Sequence, residues 1–450
     1  MYVIKYKRGD EQMARIIPFK GLRYDEKKVG GLQNVVTPPY DIISGEQQKG
    51  YYDKHQNSVI RLEYGMQYDT DTDSDNRYTR AAACLNEWLG EGVLKFEDEE
   101  SLYLYEQKFS YMGQELTYRG FLTLTQLEEF SKEIVLPHEE TLSKAKTDRF
   151  ELMSTTHANF SPIYCLYMDE EKKVNAIMEE ITARKADVSF ICDDDGIEQN
   201  VWIVKDKATI DSICAAFSDK QLFIADGHHR YETALNFRNK MRQENPDWKD
   251  DDKFNFVMMM VVDMEDSGLV VFPTHRLVNN VKMDEAMAVS LLKDNFDIDK
   301  IIVSKDIKMI WEAMNMDLAA MQQTKGFTLY FGDDYYYRLK LRDASVMEEF
   351  LPDKSHAYRN LDVTILHTLI LDNIYGIDTE NLANQSNLTY TRDALEALEA
   401  VQNGSQQCAF LLNATKVSEI KDVSLAKEKM PQKSTYFYPK LVTGIVMNKF

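Results

Sequence analysis

The chain has 450 residues, of which 44% are hydrophobic and 11% aromatic, so it can bury a core and does not belong to the disordered class. At roughly 150 residues per domain, this length predicts about three units. The 53 Lys and Arg against 74 Asp and Glu leave a net charge of −21. Such a surface repels phosphate backbones and anionic lipids, so neither nucleic acid nor a membrane is expected as the main partner.

The first predicted segment, residues 1–130, contains a sheet. This segment contains the proline-rich turn Thr37-Pro-Pro-Tyr-Asp41, followed by the strand-like run NSVIRLEYG and a helix from Asn76 to Leu89. The alternating runs SLYLYEQKFSY and ELTYRGFLTLTQL flank Met112-Gly113, which predicts a β-hairpin.

The second predicted segment, residues 131–280, mixes strands and helices. A short strand in IVLPHEETL, a helix through Asp148 and the apolar strand SPIYCLYM come first. A helix (NAIMEEITAR), two strands (ADVSFICDD and NVWIVKD) and a helix (IDSICAAFSD) follow. LFIADGHHRYETAL then predicts a strand, a tight turn and a helix whose packed face carries Tyr231, Ala234 and Leu235. NFVMMMVVDM and LVVFPTHRLV predict a further hairpin.

The third predicted segment, residues 281–450, continues this mixture. Helices are expected over 283–294 and 306–322, a strand over 297–303, paired strands in GFTLYFG and YYYRLKL, later helices from Asp362 and Thr391, and a strand in CAFLLN. Together the segments predict an α+β fold with mixed sheets, in which a central core is flanked by N- and C-terminal α/β segments.

The cysteines and the N-terminus bear on the compartment. Five cysteines are scattered without Cys-x-x-Cys spacing, which argues against a disulfide framework or a zinc ribbon. The opening MYVIKYKRGDEQ lacks the apolar core of a signal peptide, and no run approaches the length that spans a bilayer. We therefore expect a cytoplasmic protein; its oligomeric state is not predicted.

The stretch Ala225-Asp-Gly-His-His-Arg230 carries the most informative chemistry. A glycine after a strand lets the backbone approach a ligand, and the first N–H groups of the next helix favour an anion. Arg230 adds a planar fork that suits phosphate oxygens, while His228 and His229 add donors. These features predict a phosphate-binding turn. The alternative is one buried, satisfied histidine beside one solvated histidine.

PHEETLSKAKTDR, residues 137–149, forms a second group. Glu139 and Glu140 follow a strand end, and Lys146 and Arg149 lie within a few residues. A carboxylate beside cations stays ionised and can take a proton from a hydroxyl, as a general base does. On spacing alone, however, a solvated and salt-bridged helix start is favoured.

Three further motifs have two interpretations each. FPTHRLV puts His275 and Arg276 at a strand end, where they reach the same phosphates or anchor a loop. TPPYD presents Asp41 or is a structural turn. KSTYFYPK is a hydroxyl-and-lysine cluster that closes over phosphate, or a solvated strand; its residues are Lys433, Ser434, Thr435 and Lys440.

Adjacent histidines do not match an i, i+4 zinc pair. Magnesium bridging bound phosphates through Asp226 is the expected metal.

Read together, these motifs resemble a known family. The order of PHEE, a helix, SPIYCLY and IADGHHRYETAL is similar to the nucleotide-binding core of the ParB/sulfiredoxin superfamily. The motifs TPPYDIIS, PHEETLSKAKTDR, IADGHHRYETAL, FPTHRLV and MPQKSTYFYPK look like those of the domain-of-unknown-function 1015 family over essentially the full length. About fifty residues are inserted between SPIYCLYM and LFIADGHHR, a departure from the superfamily core.

The superfamily resemblance implies nucleotide binding. In that superfamily the turn matching Asp226 to Arg230 binds the phosphates of CTP, ATP or ADP, and in the free-serine kinase branch a glutamate matching Glu139 takes the substrate's hydroxyl proton. Sulfiredoxin's catalytic cysteine is replaced here by histidine, so sulfinic-acid repair is not expected. A DNA-binding role like that of ParB is opposed by the charge of −21.

The expected function is therefore transfer of a phosphoryl group between ATP or ADP, with CTP as an alternative, and a small hydroxyl compound, first L-serine or O-phosphoserine. Phosphoserine phosphatase and a non-catalytic nucleotide switch are the alternatives. The predicted catalytic residues are Glu139, Asp226 and His229. The predicted nucleotide-binding residues are Gly227, His228, His229, Arg230, Lys146 and Arg149. The predicted substrate-binding residues are His138, Thr141, His275, Arg276, Lys433, Ser434 and Thr435.

Overall fold

The computed structural model describes residues 13–139, 143–378 and 387–450, with the side chains of residues 143–146 left out. The strands in these ranges are β1 (Ile16–Ile17), β2 (Leu22–Tyr24), β3 (Leu94–Phe96), β4 (Leu102–Tyr111), β5 (Gln114–Gln126), β6 (Val135–Leu136), β7 (Ala158–Asn159), β8 (Ile163–Tyr167), β9 (Val188–Ile191), β10 (Glu198–Val204), β11 (Leu222–Asp226), β12 (Phe256–Asp263), β13 (Val270–Phe272), β14 (His275–Val278), β15 (Phe296–Ile302), β16 (Gly326–Tyr330), β17 (Tyr335–Leu341), β18 (Leu388–Thr391), β19 (Cys408–Leu411), β20 (Tyr436–Tyr438) and β21 (Asn448–Lys449).

The α-helices in the same ranges are α1 (Glu26–Val29), α2 (Gly45–Lys54), α3 (Ile60–Glu63), α4 (Arg77–Gly90), α5 (Ser143–Thr156), α6 (Lys173–Thr182), α7 (Lys207–Phe217), α8 (His228–Glu244), α9 (Glu285–Leu292), α10 (Ile307–Ala320), α11 (Val346–Phe350), α12 (His356–Arg359), α13 (Asp362–Ile365), α14 (Ala394–Gln402) and α15 (Val417–Leu425). A π-helix spans Leu366–Asp372. None of the described helices has the length and apolar character that crossing a bilayer requires.

The chain divides into two compact units. Unit 1 comprises residues 1–137, 141–269 and 439–450, and unit 2 comprises residues 138–140 and 270–438. This division differs from the predicted segments with joints near 130 and 280. Residues on both sides of 130 share unit 1 because β10 pairs with β4, and β12 pairs with β5, in one continuous sheet.

Unit 1 is built on a mixed sheet. Its strands follow the order β6-β11-β8-β12-β5-β4-β10-β9, and β1 also pairs with β5. β11 runs parallel to β6 and antiparallel to β8, whereas β12 runs parallel to β8. β12 is buried along its whole length, as expected of a central strand covered on both faces.

Helix α8 packs on this sheet through the predicted face. Tyr231, Ala234 and Leu235 are buried within the apolar core of unit 1, and α5 packs against α8. The predicted strand, tight turn and helix at 222–244 are therefore confirmed, because the i, i+3, i+4 spacing of apolar residues places them on one side of the helix.

Unit 2 contains an antiparallel sheet of order β15-β17-β16-β19-β14-β18 and a separate pair, β13 with β20. Helices α10 and α14 cover the six-stranded sheet, and Met314, Leu318, Leu398 and Val401 are buried in its core. The predicted pairing of GFTLYFG with YYYRLKL is confirmed as β16 with β17. The whole chain is thus mixed α+β with several sheets, as predicted.

Two local predictions were wrong. The run NSVIRLEYG forms helix α3, in which Ile60, Leu62 and Glu63 are buried, because a short apolar run fits a buried helical turn as well as a strand. The expected hairpin of NFVMMMVVDM with LVVFPTHRLV does not form. β12 pairs with β5 and β8, β13 pairs with β20, and β14 pairs with β18 and β19.

The hairpin of β4 and β5 is confirmed, and its turn offers a test. Met112 and Gly113 both have positive φ, 51° and 75°, as a type I′ turn requires, and Met112 is 79% exposed. We predict that Met112→Asn raises the free energy of unfolding by about 0.5–1 kcal/mol, since Asn tolerates the left-handed region better than Met. Urea denaturation measures this change. Met112→Val, which is β-branched, should lower it; equal stabilities of the two variants would contradict the assignment.

Candidate functional site

The phosphate-binding turn predicted from the sequence lies between β11 and α8 in unit 1. β11 ends at Asp226, Gly227 has φ 93° in the left-handed region, and α8 begins at His228. The N-cap residue is Gly227, which has no side chain to cap the helix, and the first N–H groups of a helix have no partner within it. The turn therefore has the backbone geometry of an anion site.

A β-bulge precedes the turn. Ile224 pairs with Cys165, but Asp226 pairs with Tyr164, so Ala225 is an extra residue between two ladder positions. A bulge bends its strand and changes the direction of the side chains that follow. Here it sets the direction of Asp226 at the end of the strand.

Asp226 is held between two cations. Arg230 donates from Nη2 to Asp226 Oδ2 over 2.9 Å, and Lys440 donates from Nζ to Asp226 Oδ1 over 3.1 Å. Burial by itself would raise the pKa of Asp226, but the charges of Lys440 and Arg230, with a smaller contribution from His228, hold that pKa well below its usual value. The carboxylate is therefore ionised at neutral pH, and the three charges sum to +1.

Arg230 is more deeply buried than a residue predicted to bind phosphate oxygens needs to be. Its side chain is 10% exposed, and besides Asp226 its Nη1 donates to the carbonyl oxygen of Pro162. Burial lowers the pKa of Arg230, but the nearby negative charges of Asp226, Asp41 and Glu63 more than compensate. Asp226, Gly227 and His229 are partly exposed, whereas His228 is buried. The contacts of Arg230 with Asp226 and Pro162 thus fix the conformation of the turn from its buried side.

Two other predicted motifs, TPPYD and PHEETLSKAKTDR, contribute residues near the turn in unit 1. The Arg149 guanidinium lies 3.9 Å from the ring centroid of Tyr40 and donates to the carbonyl oxygen of Glu63 over 2.9 Å. Its Nη1 also lies 3.4 Å from Glu63 Oε1. We call the residues that converge here the turn group; its members are Tyr40, Glu63, Arg149, Asp226, Arg230 and Lys440.

Glu63 is a member of the turn group that the sequence analysis missed. It is 4% exposed, accepts a hydrogen bond from Ser161 over 2.8 Å and shares with Arg149 and Arg230 the wall of a crevice of about 30 Å³, which holds about one or two water molecules. A carboxylate inside the apolar run VIRLEYG was the signal available in the sequence. Its assignment to a strand concealed the buried position.

Unit 2 brings together a second set of predicted residues. Glu139 accepts the backbone N–H of Lys433 at Oε1 over 2.9 Å, and His138 Nε2 lies 3.0 Å from Thr435 Oγ1. Arg276 donates to the carbonyl oxygen of Lys433 over 3.1 Å. We call these five residues the Arg276 group. Glu139 belongs to unit 2, so its predicted action on a ligand at the turn stays a prediction.

The contacts of His275 and Arg276 favour the structural interpretation of FPTHRLV. Arg276 is fully buried and donates to Thr274, Lys433 and His367, and burial lowers its pKa to about 10. Burial, with the charge of Arg276, lowers the pKa of His275 to about 3. His275 is therefore neutral, and its Nδ1 lies 3.5 Å from the backbone nitrogen of Leu412.

The remaining predicted residues are Ser434, Lys433, Thr141 and Lys146. Ser434 is buried and donates to the carbonyl oxygen of Pro431 over 2.5 Å, whereas Lys433 is exposed. Thr141, Glu140 and the side chain of Lys146 lie outside the described residues.

The residues at the turn do not fit a magnesium ion held by Asp226. Both of its carboxylate oxygens accept hydrogen bonds from cations, and these two positive charges would repel a magnesium ion at the same carboxylate. Within the ranges that the structure describes, no group of three or more His, Cys, Asp or Glu side chains is arranged to hold a metal ion.

The buried His275 predicts a pH dependence of stability. Its folded pKa is below the ordinary value of 6.5, so below that pH the unfolded chain binds a proton that the folded chain does not. Stability should then fall with decreasing pH between about 6.5 and about 3, by up to about 1.4 kcal/mol per pH unit for one such group. Urea denaturation at several pH values should show a shallower slope for His275→Asn. The same slope in both proteins would contradict a neutral buried imidazole.

Several solved structures are similar to this chain. A mutant of free serine kinase in complex with ADP is 12% identical, with a TM-score of 0.34, covering 70% of this chain and 87% of the other. A C-terminally truncated SbnI from Staphylococcus aureus is 11% identical, with a TM-score of 0.35 and coverage of 72% and 86%. A conserved hypothetical protein from Pyrococcus furiosus is 13% identical, with a TM-score of 0.33 and coverage of 72% and 94%.

No curated protein matches the chain. The family model described as "Protein of unknown function (DUF1015)" matches residues 16–364, which is more than half of the 450 residues. The match contains the turn, PHEE and FPTHRLV motifs. The chain therefore belongs to the DUF1015 family, as its motifs predicted.

Proposed function

We propose that this protein is a nucleotide-dependent phosphotransferase that acts on a small hydroxyl compound, with free L-serine or O-phosphoserine as the first substrate to test. The observation that carries the proposal is the charge at the turn. The charges of Asp226, Arg230 and Lys440 sum to +1 at the start of helix α8, within a chain of net charge −21. A local positive site in an acidic protein is what an anionic ligand requires.

Phosphoryl transfer depends on positioning and on neutralising charge around the transferred group. In the proposal, the first backbone N–H groups of α8 and the partly exposed His229 donate to phosphate oxygens. Lys440 and Arg230 supply the positive charge. Asp226 contributes by keeping these two cations in place.

The proposed base is Glu139. Its contact with the backbone N–H of Lys433 favours the ionised form of the carboxylate, because a hydrogen bond donated to a carboxylate stabilises its charge. The substrate's hydroxyl proton passes to Glu139, the hydroxyl oxygen forms a bond to phosphorus, and the bond from phosphorus to the nucleotide oxygen breaks. With water as the nucleophile and phosphoserine as the donor, the same groups would act as a phosphoserine phosphatase.

Product analysis tests the proposal. The purified protein is incubated with serine plus ATP or ADP, and separately with phosphoserine plus AMP, ADP or no nucleotide. Phosphoserine or free serine as product establishes the direction of transfer. No product with any combination, together with measurable nucleotide binding, would favour a nucleotide-sensing switch instead.

Glu139→Gln separates catalysis from binding. We predict that kcat falls by about 10²–10⁴-fold, the usual contribution of a general base, while nucleotide affinity measured by calorimetry stays the same. The neighbouring Glu140→Gln is the matched control and should retain activity. An unchanged kcat for Glu139→Gln would reject Glu139 as the base.

Gly227→Ala tests the turn. The new Cβ would lie 2.9 Å from Arg230 Nε, at a φ of +93°, so the backbone is strained and the arginine must move. We predict a loss of about 1–2 kcal/mol in stability and at least about tenfold weaker nucleotide binding, equal to about 1.4 kcal/mol.

Gly113→Ala is the matched control for this variant. Gly113 also has positive φ, 75°, but no atom lies within 4 Å of the added Cβ. It should lose comparable stability and keep its nucleotide affinity. Equal affinities in the two variants would remove the turn from the binding site.

A further inference from the structure

We infer that Lys440, and not a metal ion held by Asp226, neutralises the phosphates of the nucleotide at the turn. This inference rests on the proposed function and specifies how its site handles charge. It begins from the position of Lys440, whose side chain is 11% exposed and ends 3.1 Å from Asp226 Oδ1.

The backbone of Lys440 is fixed by buried amide side chains. Its carbonyl oxygen accepts Nε2 of Gln107 over 3.2 Å, and Gln107 is 1% exposed. The same Nε2 lies 3.0 Å from Oε1 of Gln199, which in turn accepts the hydroxyl of Tyr105. A lysine anchored in this way reaches the turn with its ammonium already positioned, which reduces the entropy lost on ligand binding.

Lys440 and a metal ion would compete for the same carboxylate. Asp226 has two oxygens, and Lys440 and Arg230 each take one. A magnesium ion bound to a remaining lone pair of Asp226 would lie within a few ångströms of both positive charges, which would repel it. Asp226, Arg230 and Lys440 together already carry the positive charge that a metal ion would supply. The ammonium of Lys440 therefore takes the metal's role at this carboxylate.

An ammonium group suits this task because it carries three donors. It can donate to Asp226 and to a phosphate oxygen from one position. Arg230 is the less adaptable cation, since its Nη1 donates to Pro162 and its Nη2 donates to Asp226.

The two assignments predict opposite results for Asp226→Asn. If Asp226 holds a metal, the amide weakens the metal site and nucleotide binding is lost. If Lys440 is the neutralising group, the amide oxygen of Asn still accepts a hydrogen bond from the ammonium and keeps it in place, while the competing negative charge is gone. Nucleotide binding is then retained or becomes tighter.

The experiment is calorimetric titration of the full chain with ADP and with ATP, each in EDTA and in excess magnesium. For the unmodified protein we expect dissociation constants in EDTA within about threefold of those in magnesium, a difference below about 1 kcal/mol. Lys440→Met should weaken binding by about 10–150-fold in both buffers, corresponding to one charge-assisted hydrogen bond. Lys440→Arg should recover most of this loss.

Two controls keep the result specific. Lys185→Met makes the same charge change at an exposed lysine of unit 1 and should bind as the unmodified protein does. Circular dichroism and the Tm check that each variant folds. If Lys440→Met does not fold, Lys440→Gln provides the answer, because it removes the charge but keeps a polar side chain and should weaken binding to a similar extent.

The outcomes separate the two proposals. Loss of binding in EDTA, loss of binding in a folded Asp226→Asn, or unchanged binding in Lys440→Met would overturn the role of Lys440 and leave the nucleotide site standing. No binding of either nucleotide by the unmodified protein would overturn the proposed function, and the role of Lys440 with it.

Discussion

The candidate site depends on one carboxylate placed between two cations. A buried Asp226 alone would be costly, and so would Arg230 and Lys440 without it, because removing a charge from water is expensive unless a partner lies close. Together the three residues form a stable cluster with one excess positive charge. This charge adds to the positive end of helix α8, and both act on the same small region of surface.

The sheet of unit 1 provides the geometry of that cluster. The bulge at Ala225 redirects the end of β11, and the carbonyl of Pro162, just before β8, accepts Arg230. Gln107 of β4 holds the peptide of Lys440. Three different parts of unit 1 therefore converge on one turn, and each contributes backbone or amide hydrogen bonds that fix a charged side chain.

Strand β14 shows the same residue types in another role. His275 and Arg276 are buried in β14, and their partners are mainly backbone groups and His367. Burial, with the charge of Arg276, lowers the pKa of His275 and keeps it neutral. Basic residues at a strand end thus serve the architecture of unit 2, while at the β11 turn His229 and Lys440 remain partly open to solvent.

The sequence alone predicted the local elements and the family of this protein. It did not predict which distant residues surround the turn between β11 and α8. Strand, glycine and amphipathic helix at 222–244 follow from short-range rules, because the apolar spacing of Tyr231, Ala234 and Leu235 and the conformational freedom of Gly227 are properties of neighbouring residues. The strand predicted at 57–65 failed because a short apolar run does not distinguish a strand from a buried helical turn. Only the tertiary structure brought Lys440 to Asp226, 214 positions earlier in the chain. Such a contact depends on how distant segments of the chain pack together, and no local pattern encodes that packing.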